Sequence, residues 1–228
     1  MGKLNNNLNN LNMRNFKKIS FIFLIAIGLF SSCTKSIINT ADQVGISKVT
    51  YYATITLKGN QYESIVKGNP YSDEGATATA GGNSLNVIVS GTVNTNAVGL
   101  YTISYSAKNK DGFSATSNRV VAVLPSAEQS GIDISGSYYY VSTGANNSTI
   151  TKLAPGFYST SNCWSSATTI GCLFICIDGT NIIMPNQSTP FGQLFGTGTL
   201  SGTGALTYIV SIPSQGINNS SRKWHKAN

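Results

Sequence analysis

Short stretches in which apolar and polar residues alternate recur along the first half of the chain and predict β-strands. Residues 49–57 alternate over a full strand length, and residues 85–89 and 101–107 repeat the pattern. A period of two places successive side chains on opposite faces of a strand, so one face is expected in a core and the other in water. Residues 119–124 are predicted to be the closing strand. The spacing of these strands and turns predicts an all-β sandwich over residues 45–124.

The second half of the chain also reads as short strands joined by hairpins. Residues 172–177 are apolar on both faces, which is typical of a central strand. Asp178-Gly179 and residues 201–204 are hairpin turn sequences. Residues 132–228 are therefore predicted to form a small antiparallel β-barrel or a sandwich. Between the two modules, residues 125–131 lack apolar periodicity and are predicted to be a linker.

The start of the chain has the layout of a bacterial lipoprotein signal peptide. Three basic residues within 14–18 precede a short apolar run at 19–30, and small residues then lead to Cys33. The run is too short for a typical membrane span. We expect cleavage after residue 32 and acylation of the Cys33 thiol. Phe30 stands where such signals usually carry Leu, and the alternatives are an uncleaved anchor or an ordinary secretory signal.

The residues around this signal refine where the protein begins and where it is attached. Met13 followed by basic residues is a normal signal start, so translation is predicted to begin there and not at Met1. Residues 33–44 are mostly polar and are predicted to be a lipidated tether. Anchoring in the outer membrane is expected. Because residues 34–38, directly after Cys33, include no acidic residue, the sequence leaves open whether the protein faces the periplasm or the cell surface.

Charge excludes one class of partner. The formal charge of +7 falls to +3 when the four basic residues upstream of Cys33 are removed. That charge is weak and scattered, so nucleic-acid binding is not expected.

Three cysteines remain after the signal. Cys163 could form a disulfide with Cys172 or with Cys176 across a hairpin, and an envelope compartment permits such bonds. The alternative is that all three are small buried apolar side chains. Their spacing matches no usual zinc pattern, and His225 is the only histidine, so no metal or other cofactor is predicted.

The chain offers few groups for catalysis. His225 lies close to the C-terminus, where chains usually fray. In the second module the only carboxylates are Asp133 and Asp178, which both lie beside turn residues. A glycosidase needs two carboxylates facing each other across a cleft. The sequence therefore predicts that the protein is not an enzyme.

The first module resembles the Ig-like domain first recognised in pesticidal crystal proteins. The resemblance rests on residues 69–78 (NPYSDEGATA), 90–94 (SGTVN), 98–105 (VGLYTISY), 109–112 (NKDG) and 119–123 (RVVAV). It implies a bacterial spacer or adhesive domain with no catalytic residues. Asp73 and Glu74 are expected to be solvated loop carboxylates, and Tyr101 and Tyr105 are expected in the core.

The second module resembles the C-terminal domain of a group of uncharacterised Bacteroidetes lipoproteins, in which an Ig-like module comes first. The resemblance rests on residues 136–138 (GSY), 150–158 (ITKLAPGFY), 163–164 (CW), 178–181 (DGTN), 185–187 (PNQ) and 196–199 (GTGT). This resemblance implies an envelope lipoprotein and does not imply any particular activity.

Two functions remain open. Aromatic faces stack on sugar rings, and Trp164, Tyr158 and Trp224 are the candidates for such contacts. The first hypothesis is therefore a glycan-binding or substrate-capturing accessory protein of a polysaccharide-uptake system. The alternative is a structural or adhesive envelope protein whose modules are spacers and contact other proteins. An exposed Trp164 in a concave polar patch favours the first, and buried tryptophans with a bare sheet edge favour the second.

Overall fold

The computed structural model describes residues 43–44 and 47–227, and these residues form an all-β fold, as the sequence predicts. Their only helical element is a 3-10 turn at Pro213–Gln215. No helix in this part of the chain is long and apolar enough to cross a membrane. The predicted signal peptide, the predicted start at Met13 and Cys33 lie outside the described residues.

A small antiparallel ribbon comes first. Strand β1 (Gln43–Val44) pairs with β2 (Ser47–Lys48). The sequence predicts residues 33–44 as an aperiodic tether, but its last two residues pair as a strand.

The Ig-like module is a sandwich of two sheets. Its strands are β3 (Thr54–Leu57), β4 (Tyr62–Val66), β5 (Ala76–Ala80), β6 (Asn83–Leu85), β7 (Ile88–Ser90), β8 (Gly99–Lys108) and β9 (Ser114–Leu124). One sheet has the order β3-β5-β6 and the other β4-β9-β8-β7. Strand β4 runs parallel to β9, and the other pairs are antiparallel.

Two predicted strands of this module differ from the observed ones. The pattern over residues 49–57 gives a strand only from Thr54 onward. The pattern over residues 85–89 is divided between β6 and β7, which lie in different sheets. The chain crosses from one sheet to the other at residues 86–87. A period-two pattern continues through such a crossing and therefore does not reveal it.

The second module is a closed barrel of eight antiparallel strands, which decides between the two predicted alternatives. The strands are β10 (Gly136–Tyr140), β11 (Ala145–Ala154), β12 (Phe157–Thr160), β13 (Cys172–Ile175), β14 (Asn181–Thr189), β15 (Gly192–Leu200), β16 (Ala205–Ile212) and β17 (Ile217–Lys226). Each pairs with the next in sequence, and β10 pairs with β17 to close the barrel. Large side chains such as Tyr138, Phe174, Tyr208 and Trp224 fill the interior.

The outer wall of the barrel packs against the four-stranded sheet of the Ig-like module. Ala122 and Leu124 on β9 form a buried cluster with Phe157 on β12 and Ile175 on β13. This contact explains why residues 172–177 are apolar on both faces. One face of the strand fills the barrel, and the other meets the sheet. Burying apolar area at this contact stabilises the association of the two modules.

Candidate functional site

The three aromatic residues predicted to contact a ligand do not form one surface. Tyr158 and Trp224 are 0% and 1% exposed, respectively, so neither offers a ring face to a sugar. Trp224 packs inside the barrel with its ring centroid 5.0 Å from that of Tyr140. Tyr158 stacks on Phe174, with centroids 5.7 Å apart. Only Trp164 is partly exposed.

Trp164 packs at the barrel core and against a cation. It is partly buried against the core cluster, and the guanidinium carbon of Arg222 lies 3.5 Å from the centroid of its indole ring. A guanidinium over an indole is a favourable cation–π contact. Arg222 therefore covers the ring face that a sugar would need for stacking on that side.

Asn162, which the sequence analysis did not single out, organises the loop that carries Trp164. Its Oδ1 accepts the main-chain N–H of Trp164 at 3.0 Å and that of Ile170 at 3.2 Å. Its Nδ2 donates to the Ser165 carbonyl at 2.7 Å. Asn162 is fully buried, so its hydrogen bonds replace those that water would make. The feature of the sequence that could have revealed Asn162 is the Ser-Asn-Cys turn at residues 161–163.

The three cysteines of the barrel are buried free thiols in this structure. Cys163 and Cys172 are neighbours: their mutual hydrogen bond, together with burial, raises the pKa of the Cys172 thiol well above its ordinary value. Burial raises the pKa of the Cys176 thiol to about 11. Of the two bridges that the sequence allows, only a Cys163–Cys172 pair corresponds to thiols in contact with each other.

A buried ion cluster lies inside the Ig-like module, centred on Arg119. The guanidinium bonds Asp73, and its Nε lies 3.3 Å from Glu63 Oε1. Tyr105 donates to Asp73 at 2.6 Å, and Tyr71 donates to Glu63 at 2.8 Å. Asp73 is thus a partner of the buried arginine. The expectation of a merely solvated loop carboxylate is wrong for this residue.

The cluster shifts the proton affinity of its members. Burial and then the hydrogen bond to Asp73 raise the pKa of Tyr105 to about 12. Burial lowers the pKa of Arg119, but the hydrogen bond with Tyr71 and the nearby carboxylates outweigh it, and the net shift is upward. Tyr105 therefore stays protonated and Arg119 stays charged at neutral pH, and both side chains belong to the core of the module.

The acidic residues of the barrel hold turns. Asp133 accepts the N–H of Ser135 at 2.8 Å, and Asp178 accepts those of Thr180 and Asn181 at 2.9 and 2.7 Å. His225 lies within β17 and stacks on Tyr139 at 5.3 Å between centroids, so the expectation of a frayed end is wrong here. In the described part of the chain, no three His, Cys, Asp or Glu side chains could together hold a metal ion.

Two clefts flank strand β4 where the Ig-like module meets the barrel. Their volumes are about 530 and 500 Å³, and both are lined by Ser64, Ile65 and Pro155. The Ser64 hydroxyl donates to the Pro155 carbonyl at 2.7 Å and bridges the modules between the two clefts. We call the two clefts together the β4 groove. Its lining comes from residues 60–66, Glu74, Leu124, residues 127–133 and residues 152–155.

The comparisons with known proteins give one family match. Residues 55–123 match the family described as "Bacterial surface protein, Ig-like domain". A search of the curated proteins finds no match. This match does not extend to the second module, whose resemblance to the lipoprotein C-terminal domain stays a prediction.

Two solved structures are similar at a low level. One is the lipoprotein BT2262 from Bacteroides thetaiotaomicron, with 22% identity and a TM-score of 0.37, covering 77% of this chain and 100% of that one. The other is the M60 catalytic domain with the CBM51-1 and CBM51-2 domains of Clostridium perfringens ZmpB. It has 16% identity and a TM-score of 0.31, covering 71% of this chain and 14% of that one. Both TM-scores are below 0.5, so neither likeness supports an argument about ligands.

The family match covers the strands from β3 to β9. It agrees with the two-sheet architecture of that module and with the Ig-like resemblance of the sequence. Residues 55–123 are therefore similar to the Ig-like domains of bacterial surface proteins.

Proposed function

We propose that this chain is a non-catalytic lipoprotein of the bacterial envelope, in which two β modules act as one rigid body that contacts other envelope proteins. The anchor is the acylated Cys33, in the outer membrane. The match of residues 55–123 to a bacterial surface domain supports the location. The turn-holding roles of Asp133 and Asp178 support the absence of catalysis.

The contact between the modules is the observation that carries this proposal. Ala122, Leu124, Phe157 and Ile175 are each at most 2% exposed where the sheet meets the barrel wall. Two modules joined through a buried apolar cluster move together, in contrast to modules on a flexible linker. A rigid body built from two modules suits a spacer or an adhesive protein.

A bare sheet edge also favours protein contacts. Strand β7 is the last strand of its sheet, and Ile88 and Val89 are 62% and 51% exposed. Exposed apolar edge strands are ready to pair with other chains unless charges or prolines block them. This edge carries neither, because residues 75–107 include no charged residue and no proline.

Glycan capture for a polysaccharide-uptake system is the second candidate. Its support is Trp164, which keeps part of its surface exposed in a loop rich in Ser and Thr. This candidate is the weaker one because Arg222 covers one face of the Trp164 ring and because Tyr158 and Trp224 are buried.

A glycan array with the mature protein, together with the Trp164→Ala variant, separates the two candidates. We expect no specific retention on any glycan. In parallel, a photo-crosslinking amino acid at Gln61, in the β4 groove, should give discrete protein adducts in intact cells. Dose-dependent glycan retention that Trp164→Ala abolishes, without protein adducts, would refute the proposed function in favour of glycan capture.

The anchor is tested separately. Growth with an alkyne fatty acid should label the wild-type protein and leave a Cys33→Ser variant unlabelled. A labelled Cys33→Ser variant would contradict acylation at this cysteine.

A further inference from the structure

Within the described residues, the outer edge of strand β4 is not paired with another strand. Strand β4 is the first strand of its sheet and pairs with β9 alone. The N–H of Val120 donates to the Gln61 carbonyl, and the N–H of Lys67 donates to the Leu124 carbonyl. These bonds direct the main-chain groups of odd-numbered residues toward β9. The groups of Tyr62 and Ser64 therefore point outward, because successive residues of a strand alternate in direction.

The β4 groove runs beside this edge and leaves room for another chain. Every residue of β4 is only partly buried. The Ser64–Pro155 hydrogen bond between the modules uses the serine hydroxyl, so the main-chain groups of Ser64 are not used in it. The volume of each cleft lies within the range of about 300–1,000 Å³ that is typical of ligand sites.

Acidic residues are concentrated in the lining of the groove. Of the eight acidic residues in the chain, four line it, namely Glu63, Glu74, Glu128 and Asp133. Of the fifteen Lys and Arg residues, Lys152 is the only one among the lining residues of the two clefts. A chain with a net positive charge therefore has a local negative surface along this edge.

Two of these carboxylates already have cationic partners. Glu63 faces Arg119, and Glu128 pairs with Lys152. Glu74 and Asp133 are exposed. Glu74 lines the cleft beside Tyr62, and Asp133 lines the cleft beyond Ser64. Each of the two clefts thus has one exposed carboxylate that a ligand cation can approach, and one oxygen of Asp133 also accepts the Ser135 N–H.

We propose that the β4 groove binds an extended peptide segment rich in Lys or Arg, which adds to the sheet as a strand alongside Tyr62–Val66. Main-chain hydrogen bonds to Tyr62 and Ser64 give the alignment, and Glu74 and Asp133 select for basic side chains. This inference rests on the proposed function, because it names the site and the chemistry of the protein contact.

Binding of a model peptide tests the charge requirement. The probe is a fluorescein-labelled octapeptide of alternating Thr and Lys, measured by fluorescence anisotropy against the mature protein. The matched probe alternates Thr and Glu. We expect the Lys probe to bind, the Glu probe not to bind, and the affinity to fall as salt is raised. Equal binding of both probes would overturn the proposal.

Variants locate the binding to the groove. Glu74→Gln combined with Asp133→Asn should weaken the Lys probe about fivefold, as expected for two exposed ion pairs. Asp111→Asn removes the same type of charge from the turn after β8, outside the groove, and should leave the affinity unchanged. An equal fall in affinity in both variants would mean that net charge, and not the groove, determines binding. That result would overturn the proposed site.

Hydrogen exchange of the wild-type protein tests strand addition without any substitution. The Tyr62 and Ser64 amides should become protected when the Lys probe binds. In a second test, Ser64→Pro removes the outward N–H and should abolish binding, whereas Ser64→Ala keeps it and should bind. Protection confined to other strands would overturn the proposal. Protein adducts formed in cells without any binding of the Lys probe would reject this peptide chemistry while the proposed function stands.

Discussion

Lys152 Nζ lies 2.9 Å from Glu128 Oε2, and this ion pair ties the segment between the two modules to the barrel wall. Tyr158 donates to the other carboxylate oxygen of Glu128 at 3.0 Å. Lys152 also donates to the Ile132 carbonyl at 2.6 Å. In addition, the main-chain N–H of Gln129 bonds the Ile177 carbonyl at 2.8 Å. The segment predicted as a linker is thus held at several points.

The ion pair predicts an acid-dependent loss of stability. Burial raises the pKa of Glu128, but hydrogen bonds from Lys152, the Gly156 main chain and Tyr158 outweigh it, and the pKa is held below its ordinary value of 4.5. A lowered pKa in the folded state contributes stability above the unfolded value, and this contribution is lost as the pH falls through the folded value. Urea denaturation of the wild type should therefore show a falling free energy of unfolding below about pH 4.5.

Glu128→Gln isolates this contribution. At pH 7 the variant should lose about 1–2 kcal/mol, because the charge-assisted bonds become neutral ones. Its difference from the wild type should shrink toward pH 3. A constant difference at all pH values would show that the carboxylate charge is not the cause.

The buried cluster around Arg119 predicts a larger loss. Arg119→Met removes the guanidinium and leaves Asp73 and Glu63 without their cation. Breaking a buried pair in this way costs about 3–5 kcal/mol. Tyr105→Phe removes one hydrogen bond to Asp73 and should cost about 1 kcal/mol. Urea denaturation of both variants checks the prediction, and equal losses would contradict a central role for the arginine.

The sequence predicts the strands well because period two is a local signal. Residues 101–107 show it clearly, because their alternation predicts a strand that lies within β8. Residues 172–177 are instead apolar on both faces, which predicts a central strand. The pattern does not say what covers the second face. That face meets Ala122 and Leu124, which are about fifty residues away in sequence and belong to the other module. Packing between modules produces no periodic sequence pattern by which it could be predicted.

The candidate site was harder to predict for a similar reason. Aromatic residues suit both a ligand surface and a core, and composition does not separate these roles for Tyr158 and Trp224. The importance of Asp73 depends on Arg119, 46 residues later. The β4 groove depends on which strand ends the sheet, and this is a property of topology that no short motif records.

The contact between modules predicts cooperative unfolding. Ile175 faces the Ig-like sheet from the barrel wall and is buried there. Ile175→Ala should cost about 2–5 kcal/mol. Calorimetry should show a single transition that moves to lower temperature. Ile209→Ala on β16, an isoleucine outside the buried clusters, is the matched control and should have a smaller effect. Two transitions, with only one shifted, would mean that the modules unfold independently.

The buried thiols of the barrel should be unreactive toward thiol reagents in the folded protein. In a Cys33→Ser variant only Cys163, Cys172 and Cys176 can react. Because all three thiols are buried, and because the pKa values of Cys172 and Cys176 are raised, Ellman's reagent at pH 8 should not react with the folded protein. In guanidinium it should titrate three thiols. A count of one, restored to three by reductant, would reveal a disulfide, and peptide mapping should then place it between Cys163 and Cys172.

Strands β15 and β16 lie so close together at Gly196 that one added methyl group there should destabilise the protein. A Cβ added at Gly196 on β15 would lie 2.1 Å from the Ile209 carbonyl oxygen on β16. This contact is with main chain, so relief requires the strands to separate. Gly196→Ala should therefore cost about 1–3 kcal/mol in urea denaturation. Gly202→Ala lies in the following turn, where an added Cβ meets nothing within 4 Å, and should be nearly neutral. If both variants are equally stable, the strands at Gly196 are further apart than the structure places them.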